Sequence, residues 1–88
     1  MKHASAQTLT ILEPLLARLR AFATLRERKP GTFYRGGSAF LHFHEDPAGI
    51  FADVKIANAG FTRVSVATAD QQAKLLEMVR KALGAPER

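Results

Sequence analysis

Two histidines and an aspartate are the side chains of this 88-residue chain best placed to do chemistry. His42 and His44 stand at i and i+2 in Phe40-Leu41-His42-Phe43-His44-Glu45, so on an extended chain both imidazoles project from one face. Asp53 follows after the turn Asp46-Pro47-Ala48-Gly49, and the alternation of Ile50 to Ile56 places it opposite His42. Two imidazoles and a carboxylate are a ligand set for zinc or another divalent metal. The His42–Asp53 pair would also suit a general base held by a carboxylate. In the plainest role it is a cross-strand contact that steadies the sheet. No nucleophile with a matching base accompanies these residues, and no glycine-rich phosphate loop precedes a helix. No catalytic activity is therefore identifiable and no cofactor is implied. His3, in the N-terminal lead-in, carries no signal of its own.

The elements that must position these side chains follow from hydrophobic period. In Ala39 to Glu45, residues Ala39, Leu41 and Phe43 share one face, while Phe40, His42 and His44 share the other. A four-residue turn at 46–49 pairs Glu45 with Ile50, His44 with Phe51, Phe43 with Ala52, His42 with Asp53 and Leu41 with Val54. A one-residue slip would mix the apolar and polar faces. Upstream, Thr32-Phe33-Tyr34-Arg35 enters the two-residue turn Gly36-Gly37, which pairs Arg35 with Ser38, Tyr34 with Ala39 and Phe33 with Phe40. Downstream, Asn58-Ala59-Gly60 suits a three-residue loop that sets Val64 against Val54 and Val66 against Ala52.

Helical spacing frames this sheet. Leu9, Leu12, Leu16, Leu19 and Ala23 predict a first helix from about Thr8, with Thr10 and Glu13 at capping-box spacing and Pro14 near the first turn. It is expected to end in the cations Arg26, Arg28 and Lys29 and to stop at Pro30-Gly31. Thr68 and Gln71 cap a second helix that carries Leu75, Leu76, Val79, Ala82 and Leu83 to Gly84. The fold class is α+β, a two-layer sandwich in the order helix, four-stranded antiparallel meander, helix, with both helices on one sheet face. The chain forms a single domain over 1–88, frayed at 1–7 and 85–88, and Tyr34 packs in its core.

The other sheet face then displays Phe33, Arg35, Phe40, His42, His44, Phe51, Asp53, Lys55, Phe61, Arg63 and Ser65. An apolar patch of that kind marks an interface, and a homodimer with the two faces stacked is the first expectation. Phenylalanines among Arg, Lys and His are also the means of stacking unpaired bases and neutralising phosphates, so nucleic acid is the alternative partner. Gly37-Ser38-Ala39-Phe40-Leu41-His42-Phe43 resembles the longer signature of the RNA-recognition motif. It departs from that signature at Gly36, where Lys or Arg is expected, and at Ser38, where an aromatic is. Helix–three strands–helix is also the order of double-stranded-RNA-binding domains, but Ala69-Asp70-Gln71 replaces their Gly- and Lys-rich helix entry. The third reading is a metal site at His42, His44 and Asp53.

Composition sets the bounds. An apolar fraction of 47 % and a charged fraction of 24 % are ordinary for a globular domain. With no cysteine, neither a disulfide nor a thiolate metal site is available, which leaves oligomerisation to support a small core. The net charge of +5 favours acidic partners. No apolar run suggests a membrane span and no leader pattern opens the sequence, so a cytoplasmic location is expected.

Taken whole, the run from Phe40 to Val54 looks like the central signature of a small uncharacterised bacterial protein family, over about residues 9 to 83. That resemblance implies a stand-alone cytoplasmic protein and transfers no catalytic residue. The element order is also similar to the frataxin-like fold group, in which frataxin uses an acidic first helix and edge strand for iron. Here Arg18, Arg20, Arg26, Arg28 and Lys29 face only Glu13 and Glu27 in the expected first helix, so that role does not transfer.

Overall fold

The computed structural model describes residues 2–57 and 60–84. In chain order it comprises β1 (Lys2–His3), α1 (Ala6–Ile11), α2 (Glu13–Arg20), β2 (Leu25–Lys29), β3 (Thr32–Arg35), β4 (Ser38–Asp46), β5 (Gly49–Ala57), β6 (Gly60–Ser65) and α3 (Ala69–Leu83). Strands β2 to β6 form an antiparallel meander in sequence order, and β1 pairs with β4 beside that path. The expected α+β sandwich holds, with five meander strands rather than four.

The additional strand comes from the expected first helix. Residues 25–29 alternate Leu25 inward, Arg26 and Arg28 outward, and pair with β3 through the Pro30-Gly31 turn. The same Pro-Gly signal that stops a helix thus turns a hairpin. Gly31 has φ of +77°, and a Cβ built on it would lie 2.6 Å from Leu9 Cδ2, so only glycine fits this turn beneath α1. Glu27 fastens the corner by accepting from the Gly31 N–H at 2.8 Å and pairing with Arg20.

The helical stripe is also divided. Ser5, not Thr10, caps the first turn by accepting from the Thr8 N–H, and the chain breaks at Leu12 before Pro14 restarts it as α2. Ile11, expected within the buried stripe, is 63 % exposed. The lead-in expected to fray through Gln7 instead contains β1 and the start of α1. Met1 and residues 85–88 lie outside the described residues. Helix α3 matches the sequence reading: Thr68 and Gln71 make a reciprocal capping box and Gly84 closes the helix at φ of 64°.

The β4–β5 register is the one expected, from Leu41–Val54 to Glu45–Ile50. The β3–β4 register matches at Arg35–Ser38 and Tyr34–Ala39, then shifts, so that Phe33 pairs with Leu41 rather than Phe40. Phe40 is the extra residue of a β-bulge, and this re-phases the strand. Phe33 and Phe40 consequently lie in the core, at 0 % and 2 % exposure, and not on the open face. Arg35 also changes side: its guanidinium donates to the Ala82 carbonyl of α3 at 3.4 Å. Tyr34, expected in the core, is half-buried on the open face beneath the Arg28 guanidinium, 5.0 Å from its ring centre. In β5–β6, Val64 pairs with Ala52 and Val54 with Thr62, two residues from the expected register: Ala57 pairs with Gly60 where the expected loop would give Phe61, and the strands shift by one more residue between Val54 and Ala57. Asn58 and Ala59 of the expected loop lie outside the described residues.

The core is continuous between layers. Leu12, Leu15, Leu16, Leu19 and Phe22 pack with Phe33, Phe40, Leu41, Phe43, Ala52 and Val54 of the sheet and with Leu75, Val79 and Leu83 of α3. No described helix is long and apolar enough to cross a membrane.

Candidate metal centre

Two paired strands bring three histidines together on the open sheet face. His42 and His44 come from alternate positions of β4, and β1 pairs His3 directly with His44. Each ring offers a nitrogen lying within 4.8 Å of those of the other two. The ring centres of His3 and His44 are 5.1 Å apart and stacked; those of His42 and His44 are 4.6 Å apart, edge to face.

The position of His3 has a local cause. Ser5 caps α1, so the chain must enter that helix extended, and Ala4 donates its N–H to the Phe43 carbonyl. The Ser5 N–H donates to the Glu45 carboxylate, which fixes the same segment from its other side. Since β5 occupies one edge of β4 across residues 41–46, β1 must lie on the edge that β3 uses. The two short strands therefore run end to end in one lane, with His3 and Thr32 at their facing ends.

Asp53 stands behind this cluster. It pairs with His42 across the strands, as expected, but its nearest imidazole is His44, with Nε2 3.1 Å from Oδ2. Arg63 grips the same carboxylate with two hydrogen bonds of 2.8 and 3.0 Å. Asp53 is 7 % exposed, and the Arg63 contacts hold its carboxyl below the usual carboxylate range. It is consequently an anion that lies 3.1 Å from the His44 ring and is occupied on its far side by Arg63.

His44 Nε2 lies 2.7 Å from His42 Nδ1 and 3.1 Å from the Asp53 carboxylate, whose charge favours the proton on Nε2. His44 Nδ1 is buried without a hydrogen-bond partner. An imidazole whose N–H is held by a carboxylate, with the other nitrogen free, is in the state that binds a metal. Burial, followed by the neighbouring His44, pushes the His42 pKa below its ordinary value, which favours the neutral ring that a metal requires.

The distances suit a transition ion. Nitrogens on a tetrahedral zinc at about 2.0–2.1 Å lie about 3.3 Å from one another. The ligand nitrogens of the cluster lie within 4.8 Å of one another, so no pair must close by more than about 1.5 Å to reach that spacing. His3, the exposed member, has the freedom to supply that movement.

Of the residues expected on this face, His42, His44, Phe51, Asp53, Phe61 and Arg63 are there, and Lys55 is exposed at the far end of β5. Phe61 is 46 % exposed and packs edge-on against His42, with ring centres 5.0 Å apart. Phe33, Phe40 and Arg35 are withdrawn by the bulge, and His3 is added. The sequence signal for His3 was the Ser5–Thr8 cap spacing, which the competing Thr10–Glu13 spacing obscured.

No protein-family model, curated protein or solved structure matches this chain. The functional reading therefore rests on the site itself.

Proposed function

We propose that this protein binds a divalent transition metal through His3, His42 and His44, with Asp53 orienting His44 from behind. The observation that carries this reading is the three-histidine cluster, together with the buried, unpartnered Nδ1 of His44 on a ring whose other nitrogen faces Asp53. Three neutral nitrogens favour zinc, nickel, cobalt or copper over the oxygen-seeking magnesium and calcium. Asp53 serves the site as a fixed anion, partly offsetting the ion's charge and holding the His44 proton away from the metal. A cytoplasmic binding protein remains the setting in which we place this activity.

The direct test is metal retention by protein prepared without a histidine tag. After exposure to zinc and gel filtration, the wild type is expected to keep about one ion per chain, and the double variant H42A/H44A close to none. Equal retention by the two proteins would reject the reading.

Self-association through the open face is the second reading, supported by exposed Phe61 and half-buried Phe51 on the same face. With Phe33 and Phe40 in the core, that patch is smaller than the alternation alone implies. Base stacking loses the same two rings, and Arg63 is engaged by Asp53. Sedimentation at tens of micromolar, with and without zinc, tests the dimer; a monomer in both conditions counts against it.

A further inference from the structure

The lane shared by β1 and β3 passes from one strand to the other between Phe43, whose carbonyl accepts from Ala4, and His42, which pairs with Thr32, and a cavity of about 370 Å³ is lined by residues of that junction. His3 and His42 line it directly. Its described lining further includes the polar Lys29, Thr32 and Tyr34 and the apolar Leu9 and Phe43, with no carboxylate among the described residues. On the opposite side of the cluster, Asp53 and Arg63 close off His44, and Phe61 covers the edge of His42. An ion held by three imidazoles keeps at least one coordination position for an outside ligand. With the other side filled, the open approach to that position is through the cavity.

Resting on the metal reading, we infer that this cavity admits a small organic carboxylate that takes the open position on the metal, with a second anionic group received by Lys29. The chemistry of the walls selects it. A bound cation and an ammonium in the walls of one cavity attract anions, while Leu9 and Phe43 accept a short hydrocarbon body. The volume lies at the small end of ligand sites, which fits a dicarboxylate of a few carbons rather than a nucleotide. Arg28, stacked over Tyr34, adds a further positive charge beside this region.

The test uses the cobalt-loaded protein in chloride-free buffer, because the visible bands of cobalt report a change of ligand. Succinate is expected to alter those bands and to bind at least about tenfold more tightly than acetate, reflecting one charge-assisted contact. In Lys29→Ala that advantage should fall about tenfold while the cobalt stoichiometry stays at one. Ala39→Leu, which fills the cavity from its sheet floor, should abolish the succinate response and retain the cobalt. Inorganic phosphate producing the wild-type response as strongly as succinate would overturn the organic-carboxylate assignment. Stoichiometric cobalt with bands indifferent to succinate would overturn the inference and leave the metal site standing. Failure to take up cobalt would overturn both.

Discussion

Substituting His3 by alanine separates the three-histidine site from the His42–His44–Asp53 set that the sequence alone suggests. His3 is exposed and sits on a two-residue strand, so its side chain contributes little to the metal-free fold, within about 0.5 kcal/mol. Its effect should appear only when metal is present. With free zinc at about 100 times the dissociation constant, binding stabilises the wild type by about 2.7 kcal/mol. For a domain of this length each kcal/mol moves the melting temperature by roughly 4–8 °C, so zinc should raise it by roughly 10–20 °C. Suppose loss of one of three ligands weakens binding about 100-fold. At the same zinc concentration the stabilisation then drops to about 0.4 kcal/mol, a shift of roughly 2–3 °C. Differential scanning calorimetry of both tag-free proteins, with and without zinc, measures the difference directly. An equal zinc shift in the two proteins would refute the role of His3 and return the site to β4 and Asp53. No shift in the wild type would refute the site itself.

Asp53→Asn should weaken zinc binding about 10- to 100-fold while leaving the histidines in place, since a neutral amide orients His44 less firmly; competition with a chromogenic chelator measures it. The same carboxylate has its pKa lowered by Arg63 from an ordinary 3.8. Its stabilising contribution is therefore complete above that value and is lost as the pH falls below it through the depressed folded value. Acid unfolding followed by circular dichroism should accordingly be shallower below about pH 4 in Asp53→Asn than in wild type. Phe40→Ala should cost about 3–5 kcal/mol in urea unfolding, as a deletion from the core, whereas exposed Phe61→Ala should cost about 0.5 kcal/mol or less. An inexpensive Phe40 substitution would contradict the bulge. Gly31→Ala should cost about 1–3 kcal/mol in the same assay, from its positive φ and the contact with Leu9.

The hairpin pairing from Leu41–Val54 to Glu45–Ile50 was legible because its alternation and its turn agree on one register, and no other register keeps Leu41, Phe43, Ala52 and Val54 together. The second helix was legible for a similar reason: Thr68, Gln71 and Gly84 mark its ends independently of its apolar stripe. The first half was harder. Leu25 extends a helical spacing from Leu12 and Leu16 as naturally as it begins a strand, and Pro30-Gly31 punctuates either element. The deciding fact was tertiary: β3 offered a free edge, and residues 25–29 paired with it. The bulge at Phe40 was hidden because nothing local distinguishes an alternating strand from one carrying an extra residue. Its burial depends on the volume left between α2 and α3, which periodicity does not encode. His42, His44 and Asp53 were visible as a group, and their cross-strand pairing was right. The actual His44–Asp53 contact is diagonal. The third imidazole arrives from a segment whose path is fixed only by the Ser5 cap of α1 and the edge of β4.

The brevity of β1 sets a timescale. One histidine of the cluster is held by a strand of two residues paired with β4, with a backbone bond from Ala4 and the Glu45 contact with Ser5 beside it. Short edge segments of this kind open at a free energy below that of global unfolding. A captured ion therefore has an exit that leaves the core of α2, α3 and the meander intact. Exchange of the metal should be insensitive to core-destabilising changes such as Phe40→Ala and sensitive to anything that loosens Glu45.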